Sequence, residues 1–279
     1  VIGMHAADPR PTKIDVGVGV FRDANGNTPV LRAVKAAEAR LLANQATKTY
    51  LGAEGDQRFT DLLAQVALGV RIAAAPRLTG VQTPGGTGAL RLAAELIARS
   101  GSASRVWIGT PSWPNHAPIF RAAGLEVRPH PYFDALTSEV DFARFIDGLD
   151  GAKAGDVLLI HGCCHNPTGA TLSSEQWSTL ADFVCKRGLI PCVDLAYQGL
   201  GQGFEQDAAG MRVMLTAVPE SLVAYSCDKN FGLYRERVGA LWVLAETPTT
   251  ARVVRETLLE LARCLWSMPP DHGAAVVRL

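Results

Sequence analysis

Residues 226–239 read SCDKNFGLYRERVG and set one lysine, Lys229, among Ser226, Asp228 and the arginines at 235 and 237. A lysine on a solvated face needs no such company. One that must act as an amine nucleophile gains from burial and nearby positive charge, both of which favour its neutral form. Asp194 closes the apolar run of LIPCVDLAY (189–197), with Tyr197 three residues on. A carboxylate there is costly unless it meets a cation, which is either an ion-pair partner inside the fold or a protonated ring nitrogen on a ligand. Asn166 lies in HGCCHNPTG (161–169), Trp113 and His116 in PSWPNH (111–116), and Gly85, Gly86 and Thr87 in TPGGTG (83–88). The glycine turn offers backbone N–H groups and a hydroxyl at a helix start, a place for a phosphate. Taken alone it reads equally well as a tight packing turn. It is neither a Walker A loop nor a dinucleotide G-x-G-x-x-G.

These groups need elements to hold them. RVWIGT (105–110), DVLLIHG (156–162), LIPCVDLAY (189–197), LVAYSCD (222–228) and VGALWVLAE (238–246) are apolar runs without polar alternation. Such runs are strands of a sheet covered on both faces. Helices fall between them. Over 173–187, Ser173 and Gln176 form a capping box, Trp177, Leu180, Ala181 and Val184 share one face, and Gly188 ends the helix. A second helix follows TPGGTG, with Leu90, Ala93, Ala94 and Ile97 on one face, and a third covers about 31–44. The alternation predicts an α/β fold, an open and mostly parallel sheet with helices on both faces. Ligands of such sheets gather at the carboxyl ends of the strands. Lys229, Ser226, Asp194, Tyr197, Asn166, Trp113 and His116 all fall at or just beyond the carboxyl ends of the expected strands.

Composition narrows the partners. The chain has 279 residues, 48% hydrophobic, with 27 basic and 27 acidic side chains. Zero net charge argues against nucleic acid or an anionic membrane as the main partner. No run approaches the roughly 18 apolar residues of a membrane span, and VIGMHAADPRPTK at the start has no signal-peptide pattern. The cysteines at 163, 164, 185, 192, 227 and 264 do not form a disulfide framework. Reduced thiols and a cytoplasmic protein are the expectation. HGCCH tempts a metal reading, but it lacks the spaced ligand pairs of a zinc site, so no metal is expected.

A phosphate clamp, a carboxylate for a pyridinium nitrogen, Tyr197 and Asn166 for a phenolic oxygen, Trp113 to stack on a ring and the Lys229 amine describe one ligand, pyridoxal 5′-phosphate. Enzymes of that cofactor use a lysine Schiff base with an acidic partner at the ring nitrogen.

At this point a family resemblance is specific. TKTYLG (47–52), TPGGTGALR, PSWPNH, HGCCHNPTG, DLAYQG and SCDKNFGLYRERVG, in this order along the chain, resemble the aspartate and aromatic amino-acid aminotransferases of fold type I. The resemblance runs from about residue 13 to residue 279. It implies that Lys229 holds the cofactor aldehyde and then shuttles a proton, and that Asp194 keeps the ring nitrogen protonated. His116 and His161 would support Asp194 from behind. Tyr197 and Asn166 would bind the ring hydroxyl, and Trp113 would stack. Gly85, Gly86, Thr87, Ser226 and Arg237 match the phosphate cradle. Tyr50 matches a tyrosine that reaches the phosphate of a neighbouring subunit. Gly19 matches a glycine beside the substrate carboxylate, and Trp113 and Asn166 also face substrate. Arg263 in ARCLWSMPP (262–270) matches an arginine that crosses a homodimer to an acidic side chain.

The resemblance further implies an amino-terminal arm or small-domain remnant over 1–20 and a cofactor-binding large domain over 21–279, with the C-terminal small domain of the family missing. Asp228 stands where the family usually has a small hydroxyl residue, and Met268 where aspartate-preferring relatives often have a polar one. The expected consequences are a carboxylate acting on Lys229 and weakening cofactor binding, and a more apolar side-chain pocket. The function this implies is amino transfer from an aromatic or acidic amino acid to a 2-oxo acid such as 2-oxoglutarate. The alternatives are an impaired fragment that only binds the cofactor, and a lyase or decarboxylase on the same fold.

Overall fold

The computed structural model describes residues 2–13, 19–101 and 105–279. Its strands are β1 (Leu78–Pro84), β2 (Arg105–Thr110), β3 (Glu126–Pro131), β4 (Phe133–Asp134), β5 (Glu139–Val140), β6 (Val157–His161), β7 (Ile190–Leu195), β8 (Ser221–Ser226) and β9 (Val238–Leu244). Seven form one sheet in the order β1-β9-β8-β7-β6-β2-β3, while β4 and β5 make a small hairpin. From β8 through β3 every neighbour is parallel. Strand β9 runs against both of its partners, β1 and β8. The expected open, mostly parallel α/β sheet is therefore present.

The apolar runs are explained by burial on both faces. In β8, Val223 and Tyr225 join one core cluster, and Leu222 and Ala224 join the other. In β9, Ala240 and Trp242 face the first cluster, and Leu241 and Val243 face the second. A strand wrapped this way has no solvent face to mark with polar residues. The helix Gly85–Ser100 supplies Ala89, Leu90, Ala93 and Ala94 to the second cluster. The helix Ser174–Arg187 carries the expected capping box, with Ser173 Oγ accepting from the Gln176 N–H at 3.1 Å and Gln176 Oε1 accepting from the Ser173 N–H at 2.8 Å. Gly188 closes it in the left-handed conformation at φ 66°.

Besides the short hairpin β4–β5, two strands of the main sheet escaped the sequence pattern, each for a physical reason. β1 (LTGVQTP) buries Thr79, Gln82 and Thr83 and reads as polar. Gln82 is tolerable inside because its Oε1 accepts from the Asp56 N–H at 2.8 Å and its Nε2 donates to the Pro270 carbonyl at 2.7 Å. β3 (EVRPHP) carries Pro129 and Pro131, which a ladder accepts at a sheet edge, and β3 is an edge strand.

The middle of the site depends on one close approach. Gly239 pairs with Thr83 on one side and Ser226 on the other. A Cβ there would lie 2.6 Å from the Gly85 carbonyl carbon and 2.8 Å from its oxygen. The glycine lets β1 turn directly into the helix Gly85–Ser100 above β9. Gly239→Ala is therefore expected to cost about 3 kcal/mol or more, because backbone rather than a flexible side chain must move. Urea unfolding of the variant beside the parent checks this, and a loss under about 1 kcal/mol would contradict it.

Candidate active site

Strand direction assembles the site. β2, β6, β7 and β8 are parallel, and β1 runs the same way because two antiparallel pairings separate it from β8. Five carboxyl ends thus converge, and the start of β9, just after Arg237, joins them. Gly85 follows β1, His116 lies beyond β2, His161 ends β6, Asp194 lies near the end of β7, and Lys229 lies beyond β8. The cavity they enclose is about 310 Å³. It is lined by the expected Gly19, Gly86, Thr87, Trp113, His161, Asn166, Asp194, Tyr197, Ser226, Lys229 and Arg237. Val20, Leu90, Ala196, Asp228 and Tyr234 also line it.

Besides His116, which lies behind Asp194, three expected residues lie elsewhere. Gly85 sits behind the lining, where a Cβ would come within 2.5 Å of Arg237 Nη2. Tyr50 is 90% exposed. Arg263 is exposed on a separate groove beside Glu256 and Glu260. Met268 lies outside this cavity too, where its sulfur accepts from the Leu51 N–H at 3.0 Å.

The far wall is a buried charge with a built support. Asp194 is 6% exposed, and its Oδ2 lies 2.8 Å from His116 Nε2. His116 is fully buried, and its Nδ1 lies 2.9 Å from Ser112 Oγ. Burial works against the Asp194 charge, but the His116 hydrogen bond and the positive potential of His116 and Lys229 outweigh it and hold the carboxyl below its ordinary pKa. His161 pairs with Asp194 in the β6–β7 register, and its ring lies 4.9 Å from that of His116. Burial lowers the His161 pKa to about 3, so this imidazole is neutral near pH 7. Its Nε2 is buried without a partner among the described residues.

Behind His161 is a layer that sequence patterns did not reveal. His165 meets His161 edge-on at 4.2 Å and stacks on Tyr132, also at 4.2 Å. The motif HGCCH therefore spreads its side chains. His161 and His165 enter this stack, while Cys163 enters the apolar core. His116, His161 and Asp194 do place ligand atoms within 4.8 Å of one another, a spacing open to a metal ion. The Asp194 oxygen there is already engaged by His116. All six cysteines are unpaired.

On the near side, Asn166 Nδ2 donates to the Tyr197 hydroxyl at 3.3 Å. Burial raises the Tyr197 pKa against that hydrogen bond, so the phenol keeps its proton. Lys229 Nζ lies 5.6 Å from the centre of the Tyr197 ring. No hydrogen-bond acceptor engages it among the described residues. The Tyr234 hydroxyl accepts from the Phe21 N–H at 2.9 Å, which ties the segment after Gly19 to the cavity rim.

The remaining corner is the glycine turn. A Cβ on Gly86 would lie 3.0 Å from Ser226 Cβ, so only glycine leaves the turn open beside that hydroxyl. Arg237 reaches the same corner from a left-handed backbone, φ 53°. Its guanidinium does not stand alone. Nη1 makes an ion pair with Asp228 Oδ2 and donates to the Tyr234 carbonyl at 3.1 Å. Asp228 Oδ1 accepts from the Val238 N–H at 3.3 Å. The carboxylate expected to act on Lys229 is thus seated on Arg237. The donor set fits pyridoxal 5′-phosphate: an amine without an acceptor among the described residues, a buried charged acid, a phenol–amide pair, a half-buried tryptophan and an open glycine turn. The paired clamp arginine is the one discordant feature.

Comparison with known proteins gives one consistent answer. The family model for aminotransferase class I and II matches residues 11–278. The tyrosine aminotransferase of Rhizobium meliloti is 55% identical over 278 residues, 100% of this chain and 71% of that protein. The aspartate aminotransferase of Escherichia coli is 47% identical over 276 residues, 98% of this chain and 70% of that protein. Among solved structures, an aromatic amino acid aminotransferase with 3-indolebutyric acid superposes with a TM-score of 0.96 at 46% identity, covering 99% of this chain and 70% of that one. The aromatic-amino-acid aminotransferase from Burkholderia pseudomallei, described as covalently bound to pyridoxal phosphate, superposes with a TM-score of 0.95 at 38% identity over the same shares.

The imidazole stack predicts a pH dependence. Burial lowers the His165 pKa from 6.5 to about 4, helped by the nearby charge of His116. The neutral form is favoured in the folded state, so this contribution is intact above pH 6.5 and is lost as the pH falls to about 4. His165→Phe keeps a ring on Tyr132 and removes the titration. Between pH 7 and pH 4 the parent is expected to lose roughly 3 kcal/mol more than the variant. Urea unfolding across that range tests it, and parallel slopes for the two proteins would refute it.

Proposed function

The chain belongs to the class I and II aminotransferases, and from that premise we propose how its residues divide the work of a pyridoxal-phosphate-dependent transaminase. The reaction passes the amino group of an aromatic or acidic amino acid to a 2-oxo acid such as 2-oxoglutarate. Pyridoxal phosphate, when bound, supplies an aldehyde for the amine and an electron-withdrawing ring that takes up the charge left as the substrate loses its Cα proton.

Lys229 Nζ is the amine that holds the cofactor aldehyde. With the cofactor bound, its free amine would serve as the base that takes and returns the substrate Cα proton. Asp194, kept ionised, holds a proton on the ring nitrogen. His116 orients that carboxylate, and His161 lies against the same pair. Tyr197 and Asn166 hydrogen-bond the phenolic oxygen, and Trp113 covers the ring and excludes water. Gly85, Gly86, Thr87, Ser226 and Arg237 receive the phosphate at the start of the helix Gly85–Ser100. The Gly19 backbone, Trp113 and Asn166 meet the substrate.

Tyr50 and Arg263 act from a second copy of the chain in this reading. Their exposure outside the cavity supports that assignment, with Tyr50 reaching the partner's phosphate site and Arg263 the acidic end of a substrate. We place this homodimer in the cytoplasm, and no helix among the described residues is long and apolar enough to cross a membrane. Residues 21–279 form the large domain in this scheme and 1–20 the arm.

What supports the reading most is one pairing across a single cavity: an amine without an acceptor among the described residues and a buried aspartate held charged by His116. The test is Lys229→Ala loaded with the cofactor, followed by amine transfer from tyrosine or aspartate to 2-oxoglutarate. Removing the group that moves the proton is expected to lower the rate by roughly 10²–10⁴-fold or more. Borohydride is expected to leave a pyridoxyl adduct on Lys229 in the parent and none at that position in the variant. Transfer at the parental rate by the variant would overturn the assignment.

A further inference from the structure

We propose that Asp228 is an internal occupant of the phosphate seat, and that it sets how strongly this chain distinguishes a phosphorylated from an unphosphorylated B6 aldehyde. The inference rests on the pyridoxal-phosphate reading of the cavity.

The carboxylate is 3% exposed and engages Arg237, the charged group of the phosphate cradle. Oδ2 pairs with Arg237 Nη1, and Oδ1 accepts from the Val238 N–H. A Cβ on Gly85 would lie 3.1 Å from Asp228 Oδ2 and 2.5 Å from Arg237 Nη2. Both charged groups therefore rest against the first residue of the 16-residue helix Gly85–Ser100, whose positive end favours an anion. The Asp228 N–H donates to Ser226 Oγ at 3.2 Å, which leaves the serine proton to point elsewhere. An anionic oxygen thus already rests beside both the guanidinium and the helix start.

Two consequences of opposite sign follow. Without a ligand, Asp228 compensates Arg237 and the helix end, so removing it leaves positive charge unopposed and lowers stability. With a phosphate present, Asp228 must either give up Arg237 or stay beside a second anion. Both cost affinity. Pyridoxal lacks the phosphate and is spared that cost. A residue with only a structural role would lower stability and affinity together.

The experiment titrates pyridoxal 5′-phosphate and pyridoxal separately into the parent, Asp228→Asn and Asp228→Ser. It follows the absorbance of the lysine adduct and locates the adduct on Lys229 by borohydride trapping. Asp228→Asn keeps the shape of the side chain and removes only its charge. In both variants the preference for the phosphorylated aldehyde is expected to rise about tenfold or more, while the ligand-free melting temperature falls. In the parent alone the phosphate is expected to add less than about a hundredfold to affinity. An unchanged or smaller preference in the variants overturns the proposal, and so does a parent that prefers the phosphorylated aldehyde by ten thousandfold. If adducts form on Lys229 with an unchanged preference, this inference falls and the cofactor reading stands. If neither aldehyde adds to Lys229 in any of the three proteins, both fall.

Discussion

A carboxylate left with 6% of its surface exposed must be held charged by its neighbours or take a proton, and Asp194 is held by His116 Nε2 at 2.8 Å. Much of the sheet order can be understood from that bond. His116 comes from the segment after β2, His161 from the end of β6, and Asp194 from β7. The order β7-β6-β2 makes these three neighbours although 78 residues separate His116 from Asp194. Parallel strands put all three on one edge of the sheet. A single antiparallel exchange among β2, β6 and β7 would send one of them to the opposite edge. The strand that does run backwards, β9, has no strand-end side chain to contribute. Its beginning supplies Arg237 to the same edge.

The opposite corner rests on absent side chains. Gly239 leaves room for the Gly85 backbone, Gly85 for the Arg237 guanidinium, and Gly86 for Ser226. The three glycines bring a helix start, a strand start and a strand end together where side chains would hold them apart. Only Gly85 needs a glycine for its backbone conformation as well, at φ 71°. In the proposed reading, phosphate recognition at this corner would be built from backbone geometry first and from charge second.

The layout was legible where residue type and strand position agree. Unbroken apolar runs exposed five strands of the sheet, and the residues just beyond them gave most of the cavity wall. The obscured parts follow from contacts that no local pattern encodes. Gln82 disguises β1 because its satisfaction comes from Asp56 and Pro270, 26 and 188 residues away. His165 and Tyr132 stack across 33 positions of sequence, so HGCCH alone could not say which of its side chains face His116. Tyr234 sits inside the stretch that named Lys229, yet its hydroxyl is spent on the Phe21 N–H. Asp228 looked like a neighbour of Lys229 because it is next to it in the chain. The left-handed turn at Arg237 is what delivers the guanidinium to that carboxylate instead.

The two buried acids of the cavity therefore obey one rule with different outcomes. Each is stable because a hydrogen-bonding partner from elsewhere in the chain reaches it. Asp194 draws on His116, which lies behind it and stays in place whatever enters the cavity. Its open side is free to meet a ring N–H, and binding there adds a partner to a charge already compensated. Asp228 draws on Arg237, the group that the proposed reading assigns to the phosphate. Binding there takes the partner from a charge that depended on it. A buried carboxylate can thus prepare a socket or fill one, and the deciding feature is whether its hydrogen-bonding partner is also a ligand group.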